Sequence, residues 1–501
     1  MDVLHQLMHG FVLVLSPYNL WMAVVGCFFG TLVGILPGLG PSATIAMLLP
    51  FTFGMNATPA MIMLCALYYG AKYGGSTTSI LINVPGENAS VVTTFDGYQM
   101  ALQGRAGAAL GISAIGSFVG GILGTFGLIF VAVPLAEFSL KFGPAEYFSL
   151  IVMGMLTIVF LGGKSITKSL ISGVLGLALG VVGTDVVQGA PRFVYGVADL
   201  MDGIPFIVVV MGVFGIGEVL VSAEERMKMD SLKVPFSKLW PTFSDLNQSK
   251  WAMVRGTVIG FIVGVLPGAG STIASFMSYG LEKSASKHPE SFGKGAIEGV
   301  AGPETANNAS CSGEMVPLLG LGIPGSGSTA VMLGALMLYG LKPGPMLFKT
   351  NPDFVWALIA SLFIGNVILL IMNLPMVPLF ACTLRLPYGL LYPVIILICV
   401  TGVYSLNSSV FHVWAMLIFG VAGYFMKKYD IPGAPMIIGL VLGPILEQSL
   451  YRALALAHGD ITVFVTRPIS AVLLGIAVLM TVAVSFKTIK IMRTKFGDEP
   501  A

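Results

Sequence analysis

The sequence contains very little charge. Only 50 of its 501 residues are charged, 26 Lys and Arg against 24 Asp and Glu, whereas soluble domains carry about 25% charged residues. A water-soluble chain of this length would divide into several domains, and each would need a polar surface that this composition does not supply. The composition therefore excludes a cytosolic enzyme, a nucleic-acid-binding protein and a disordered protein. With 55% apolar residues it indicates a polytopic membrane protein.

Cysteine is also scarce, and the N-terminal region lacks basic residues. The five cysteines lie far apart in or beside apolar runs, and no two form a CxxC pair. This pattern suggests neither a disulfide framework nor a zinc site. Residues 1–20 contain no Lys or Arg, so we expect no cleavable signal peptide and a first hydrophobic segment that stays in the membrane.

Long apolar runs predict the membrane helices, because about 20 apolar residues cross the hydrocarbon core. The predicted spans are residues 112–134, 145–162, 165–183, 204–222, 354–380, 386–404, 409–426, 432–447 and 468–486. A polar stretch at 223–250 is predicted to be a linker between two halves. The distribution of Lys and Arg places this linker and the C-terminus in the cytoplasm and the N-terminus outside.

The second half of the sequence repeats features of the first half. Four matches occur in the same order at offsets of 229 to 239: Gly34–Gly40 with Gly264–Gly270, Val84–Gly86 with Ile323–Gly325, Pro205 with Pro435, and Glu218 with Glu447. Several matches in order at nearly one offset indicate an internal duplication.

Charge at equivalent helix ends differs between the halves. Lys164 and Lys168 open a first-half helix, whereas Lys427 and Lys428 close its counterpart. We therefore predict an all-α polytopic membrane protein with two inverted-topology repeats, Pro-Gly broken helices or hairpins, and roughly 10–12 membrane helices. The repeats would span 18–222 and 251–450, followed by a final helix at 468–487.

Pro-Gly pairs interrupt four apolar segments. Proline removes a backbone donor, glycine tolerates non-helical angles, and in lipid the freed groups must be satisfied by protein, water or ligand. Half-helix N-termini bind carboxylates without Lys or Arg, and unwound carbonyls suit Na⁺. Hydroxyl residues behind each break are suited to capping the new half-helix. The predicted substrate-binding residues are Pro37, Gly38, Gly40, Ser42, Asn83, Pro85, Gly86, Pro267, Gly268, Gly270, Ser271, Thr272, Pro324, Gly325 and Ser326.

Three acidic residues, Glu87, Glu304 and Glu314, lie beside these breaks. Charge inside a membrane is expensive unless it is used or paired. These residues are therefore either coupling-ion ligands or proton carriers, or else salt-bridged or wet loop acids. For Glu304 the loop interpretation is favoured, because Lys294 and polar neighbours indicate a solvated segment.

Several longer blocks resemble the large membrane subunit of the tripartite tricarboxylate transporters, the TctA family. They are Tyr68–Ser76, Asn83–Gly86, Asp96–Tyr98, Gly302–Ala309, Gly322–Ser326 and Gly340–Pro345. The resemblance covers residues 20–485. It implies a bacterial inner-membrane permease that imports citrate or other carboxylates together with a small, TctB-like membrane subunit and a periplasmic, TctC-like solute-binding protein. A Na⁺ or H⁺ gradient would drive import, and the absence of a GxxxxGK[ST] loop agrees with this.

The matching positions also imply functional residues. They include both Leu-Pro-Gly loops, the Asn83 to Gly86 loop, and the segment from Asn307 and Asn308 to Gly325. Glu87, Asn307, Asn308 and Glu314 are candidate ligands of a coupling ion such as Na⁺, and no other cofactor is expected. Glu87 and Glu314 depart from the small neutral residues of the family, which favours a substrate less charged than citrate or a proton-linked site.

Two other classes of function compete with a carrier. An intramembrane protease would need a nucleophile such as Ser326 or Ser328 with a base, but no histidine follows in that apolar region and no HExxH motif occurs. We therefore expect no enzyme. A passive anion channel remains open, since broken helices also build selectivity filters. A channel would conduct without an ion gradient or a binding protein.

Overall fold

A computed structural model of the protein describes residues 3–36, 38–161, 165–185, 189–224, 240–376, 379 and 388–496. In the first half the helices are α1 (Val3–Val14), α2 (Pro17–Gly34), α3 (Pro41–Leu48), α4 (Ala57–Ile82), α5 (Ala106–Ser139), α6 (Pro144–Leu161), α7 (Ile166–Gly180) and α8 (Phe206–Glu224). In the second half they are α9 (Phe243–Val265), α10 (Gly270–Ala285), α11 (Glu298–Leu321), α12 (Gly327–Leu338), α13 (Pro345–Thr350), α14 (Pro352–Asn373), α15 (Tyr388–Asn407), α16 (Val410–Lys428), α17 (Gly433–Leu456), α18 (Val463–Thr466) and α19 (Pro468–Phe496).

The predicted all-α polytopic membrane fold is confirmed. Each of the nine predicted spans overlaps a helix, from α5 to α8 in the first half and at α14 to α17 and α19 in the second. Within the described residues, seven helices are long and apolar enough to cross a bilayer, including α2, which the nine predicted spans omit. Six further apolar helices are shorter.

The segment predicted as a linker, 223–250, is partly helical, and its residues 225–239 lie outside the described part of the chain. Helix α9 begins at Phe243, inside that segment, because Thr242 and Asp245 form a capping box. The Thr242 hydroxyl accepts from the Asp245 amide at 3.2 Å, and the Asp245 carboxylate accepts from the Thr242 amide at 2.9 Å. This pair satisfies two amides that a helix start would otherwise leave free.

The helices form two compact units, each with elements from both halves. The larger unit comprises 1–139 and 205–429, and the smaller comprises 140–204 and 430–501. In the smaller unit, α7 packs against α17. A short antiparallel hairpin, β1 (Gly183–Thr184) with β2 (Pro191–Arg192), follows α7. Arg192 donates to Glu447 at 2.6 and 3.0 Å, and these hydrogen bonds raise the pKa of Arg192.

Two completely buried helices, α4 and α11, form the centre of the larger unit. Every residue from Pro59 to Leu81 and from Gly299 to Gly320 is buried. The two helices run antiparallel, because Tyr68 contacts Glu314 near one end and Ser76 contacts Glu304 further along. Polar side chains are therefore enclosed on both helices, where each needs a partner.

Rows of glycine residues, called glycine seams below, allow a second helix to pack closely against each buried helix. Gly26, Gly30 and Gly34 of α2 lie against the carbonyls of Met63, Leu67 and Ala71 on α4. Gly256, Gly260 and Gly264 of α9 lie against the carbonyls of Gly302, Ala306 and Ser310 on α11. The two glycine sets are 230 residues apart and the two carbonyl sets 239 apart, which are the offsets of the sequence matches. The same helix pair is thus built twice in the same register.

A third seam is formed by Gly116, Gly120 and Gly124 on α5. Their spacing predicts close helix packing, since small residues every fourth position let two backbones approach. The structure confirms this packing: Gly116 and Gly120 lie against Thr305, and a methyl group added to Gly124 would lie 3.1 Å from the carbonyl oxygen of Ala309. Helix α11 is therefore enclosed on two sides by glycine contacts.

Replacing Gly260 with Ala should destabilise the protein by about 1–3 kcal/mol, because the added methyl group would overlap the Ala306 carbonyl. Gly280→Ala in α10 is the matched control, since nothing lies within 4 Å of the added methyl group. Thermal unfolding of the purified protein in detergent measures both. Equal unfolding temperatures for the two variants would contradict the close packing of Gly260 against α11.

Candidate functional site

The four predicted breaks are present between helices. Helices α2, α4, α9 and α11 end at Gly34, Ile82, Val265 and Leu321, and helical structure resumes at Pro41, Asn88, Gly270 and Gly327. At the tips of the two Leu-Pro-Gly breaks, Gly38 has φ +87° and Gly268 has φ +84°, a conformation that favours glycine. Pro37 lies outside the described residues.

The hydroxyl groups behind the breaks contribute to capping at the second and fourth breaks. After the second break, the Ser90 hydroxyl accepts from the Glu87 amide at 3.3 Å, in a capping box. Ser326 accepts from the Thr329 amide and forms a capping box at the start of α12. The starts of α3 and α10 have no side-chain cap, so the prediction of hydroxyl capping is wrong there. The reason is that the N-cap positions of these helices are Gly40 and Ala269, which carry no hydroxyl group. In the first turns, Ser42 pairs with Ser328 at 3.0 Å, and Ser271 accepts from Lys72.

Contacts join the breaks to one another. The Gly268 amide donates to the Gly325 carbonyl at 2.8 Å, which links the third break to the fourth. The pair of Ser42 and Ser328 links the helix after the first break to the helix after the fourth. The first and second breaks also meet, since Gly86 packs against Gly34.

Lys72 lies at the centre of this arrangement. Its ammonium group is 2.8 Å from Glu87 Oε2 at the second break and donates to Ser271 at the start of α10. The side chains of Lys72 and Glu87 are only 5% and 4% exposed. A buried ammonium group therefore stands between the second and third breaks, beside residues predicted to bind the substrate.

The second acidic residue, Glu314, links α4 to the fourth break. Its Oε2 atom accepts from the Tyr68 hydroxyl at 2.8 Å and from the Ser326 hydroxyl. Its Oε1 atom is buried and has no hydrogen-bond partner within the described part of the chain. Asn307, one of the predicted ion ligands, donates from its side-chain amide to Glu87 Oε1 at 2.8 Å. Glu87, Asn307 and Glu314 thus belong to one cluster around Lys72.

Glu304 is not a solvated loop residue, so that interpretation is wrong. Its carboxylate is buried in α11 and accepts from the hydroxyls of Ser76 and Thr93. Lys294, the neighbour in sequence that suggested a wet segment, is exposed in the preceding loop. The error arises because α11 begins at Glu298 and carries Glu304 into the core.

Other predicted residues lie away from the cluster. Asn83 is exposed and ends α4 with φ +58°, so it acts as a left-handed helix cap. Asn308 donates at 3.3 Å to the carbonyl of Glu304 on its own helix, and no hydrogen bond from it to a break is present in the described part of the chain. Gly38 faces Glu218, which is ion-paired with Lys427. Gly40 has nothing within 4 Å of an added Cβ.

The remaining predicted positions shape the backbone of the breaks. Gly86 donates its amide to the Gly75 carbonyl at 3.3 Å, and a methyl group added to Gly325 would lie 3.1 Å from Glu314 Cγ. Pro85, Pro267, Gly270, Thr272 and Pro324 lie within the same breaks or in the first turn behind them. Because Gly325 has no side chain, the backbone of the fourth break can pass close to the side chain of Glu314.

The sequence patterns assigned no role to Lys72, Tyr68, Ser76 or Thr93. One signal was available for Lys72: it is the single charged residue in the 26 residues of α4. A charged residue inside an otherwise uncharged membrane segment is a functional candidate by default. The hydroxyl residues gave no such signal, because Ser and Thr also occur in membrane helices as packing residues.

The charges of the cluster do not balance. Lys72 supplies one positive charge, whereas Glu87 and Glu314 supply two negative charges if both are ionised. Uncompensated charge in a low-dielectric interior is costly. If both acids are ionised, the cluster carries net negative charge, which a bound cation or proton would reduce.

These features define a multi-pass α-helical membrane protein with a buried, charged site at four helix breaks. The family model described as "Tripartite tricarboxylate transporter TctA family" matches residues 20–438. The chain belongs to this family of transporter subunits, as its sequence blocks indicated.

Two proteins of Agrobacterium vitis are similar to this chain. One, named "Uncharacterized 52.8 kDa protein in TAR-I ttuC' 3'region", is 46% identical over 495 residues, which cover 99% of both chains. The other, named "Uncharacterized protein in TAR-II ttuC' 3'region", is 45% identical over 234 residues, covering 47% of this chain and 97% of the relative. No solved structure matches.

Lys72→Met should destabilise the protein by about 3–5 kcal/mol, because it leaves Glu87 buried without its cation. The double variant Lys72→Met with Glu87→Gln should recover most of this loss, since neither charge is then present. Denaturant unfolding in detergent measures both, with Lys283→Met at an exposed position as the control. If the double variant were as unstable as Lys72→Met, the ion pair between Lys72 and Glu87 would not explain the loss of stability.

Proposed function

We propose that this chain is the permease subunit of a binding-protein-dependent secondary transporter that imports carboxylates, driven by a Na⁺ or H⁺ gradient. The observation that carries the proposal is the buried ammonium group of Lys72 between the second and third breaks. A carboxylate is the natural ligand of such a group in a dry site. Tricarboxylates and related di- or monocarboxylates are the substrate class.

The start of α10 provides the second part of the anion site. This helix of 16 residues has no side-chain cap, so its first amides are free to donate to a ligand. Its N-terminal residue pair, Gly270 and Ser271, lies beside Glu314 and Lys72. Free amides and the helix dipole favour an anion at this end, next to the ammonium group.

Coupling to a cation follows from the excess of buried acid. Glu314 has an unpartnered oxygen at the fourth break within the described residues, and this is an atom at which a cation such as Na⁺ would bind. Binding there reduces the negative charge that a carboxylate substrate meets. The two ligands would then stabilise each other, which is the physical basis of symport.

Alternating access is supported by the duplicated helix pairs. The pairs α2 with α4 and α9 with α11 have the same register, and α4 and α11 run antiparallel. Two repeats in the same orientation would place equivalent helices parallel, whereas inverted repeats place them antiparallel. We therefore infer an inverted repeat, in which exchange of the two conformations opens the site to each side in turn.

The partners follow from the family description, which names a tripartite transporter. We propose a small TctB-like membrane subunit and a TctC-like solute-binding protein in the periplasm. The permease would lie in the bacterial inner membrane with its C-terminus in the cytoplasm. This orientation rests on the basic residues between α8 and α9 and near the C-terminus.

Uptake of labelled citrate, succinate and malate into proteoliposomes tests the proposal. These vesicles would contain the permease with the small subunit, and the binding protein and an inward Na⁺ or pH gradient would be supplied outside. We expect saturable accumulation of substrate that needs both the binding protein and the ion gradient. Flux that persists without either one would indicate a channel instead.

In the same assay Lys72→Met with Glu87→Gln should lower uptake at subsaturating substrate by at least about tenfold, because one charge-assisted hydrogen bond to the carboxylate is lost. Lys283→Met should transport normally. Normal uptake by the folded double variant would remove Lys72 from the substrate site.

A further inference from the structure

Glu304 is a buried carboxylate that the proposed carboxylate site does not use. It is 1% exposed, and its two oxygens accept from Thr93 and Ser76, while Ser113 lies within hydrogen-bonding reach. Within the described residues, no Lys, Arg or His forms an ion pair with it. A buried carboxylate held only by hydroxyl groups is costly when ionised, since neutral donors do not remove its charge.

The other charged groups on the elements packed around Glu304 have partners. On α4 and the second break, Lys72 and Glu87 pair with each other. Asp96, in the helical turns after that break, accepts from the amides of Gly293, Gly295 and Ala296 and from the Tyr279 hydroxyl of α10.

On α9 and α10, Arg255 and Glu282 form an ion pair with a closest distance of 2.5 Å. At the start of α5, Arg105 pairs with Asp245. None of these cations is available to Glu304, so the charge it can acquire most simply is a proton.

The hydroxyl groups around Glu304 suit both of its protonation states. When the carboxylate is ionised, Ser76 donates to it. When it is protonated, the carboxylic acid can donate to Ser76, because Ser76 has a second acceptor 3.4 Å away in the carbonyl of Lys72. Rotation of the Ser76 hydroxyl group therefore provides a hydrogen-bond partner for either protonation state of Glu304, and no helix needs to move.

A small cavity beside Glu304 offers a place for water. It is lined by Tyr73, Thr77, Leu110, Ser113, Ala114 and Asn373, and is about as large as one water molecule needs. Ser113 is shared between the cavity and the contacts of Glu304. A water here would have several polar partners and would provide a proton donor next to the hydroxyl groups.

We propose that Glu304 is the proton-binding site through which a pH gradient drives this carrier. In each cycle the carboxylate takes up one proton from the side of higher proton concentration, becomes a neutral carboxylic acid, and releases the proton on the other side. No other bond forms or breaks. The neutral acid removes one negative charge from the buried region near Glu87 while the carboxylate substrate is bound. This inference rests on the proposed function.

The test compares two measurements on the complete transporter in proteoliposomes with labelled citrate, succinate and malate. One is exchange of internal for external substrate without a gradient, and the other is accumulation driven by a pH gradient. Glu304→Gln should keep exchange within about twofold and lose accumulation, because glutamine resembles the protonated acid and cannot release a proton. Lys283→Met should change neither.

The outcomes separate this inference from the proposed function. No substrate exchange by the unaltered transporter would overturn the proposed function itself. Exchange with accumulation that follows a Na⁺ gradient and ignores a pH gradient would overturn only the role of Glu304. Undiminished accumulation by Glu304→Gln under a pH gradient would also overturn the role of Glu304 in proton binding.

A second variant keeps the inference testable if Glu304→Gln does not fold. Thr93→Val removes a hydroxyl that donates to the ionised carboxylate and preserves the shape of the side chain. Because the ionised form is then less stable, the pH profile of accumulation should shift upward by about one pH unit. An unchanged profile in folded Thr93→Val would overturn the assignment.

Discussion

The organisation of the site depends on the neutralisation of one buried ammonium group. Lys72 lies on a helix with no exposed residue from Pro59 to Leu81, so its charge has no access to bulk solvent. It is stabilised by Glu87 from the second break and by Ser271 from the helix after the third. The contacts that make this charge tolerable therefore bring together parts of the chain as far as 199 residues apart.

Close packing of α2 against α4 and of α9 against α11 allows the breaks to lie next to one another. The last glycine of each seam, Gly34 or Gly264, is also the first residue of a Leu-Pro-Gly break. Each break therefore starts at or just after a close contact of its helix with α4 or α11, and its backbone emerges beside the polar residues of those helices. Membership of the TctA family agrees with a site built from backbone and a few buried charges, as a transporter of small anions requires.

Local features of the sequence predicted the four breaks and nine of the helices, although they missed α2. Apolar runs and Pro-Gly pairs act through hydropathy and backbone conformation, which neighbouring residues determine. The partners of charged groups depend on contacts between distant segments. Glu304 illustrates the difference: its neighbour Lys294 is close in sequence, yet its hydrogen-bond partners are Ser76 and Thr93, more than 200 residues away.

By itself, the sequence determined that this chain is an α-helical membrane protein with a duplicated pattern of broken helices, because composition and offsets are properties of the chain alone. Only the tertiary structure decided which buried acid is paired with Lys72 and which has an oxygen without a partner in the described residues. The physical reason is that these contacts join different elements: Lys72 of α4 pairs with Glu87 of the second break, and Tyr68 and Ser76 of α4 contact Glu314 and Glu304 of α11.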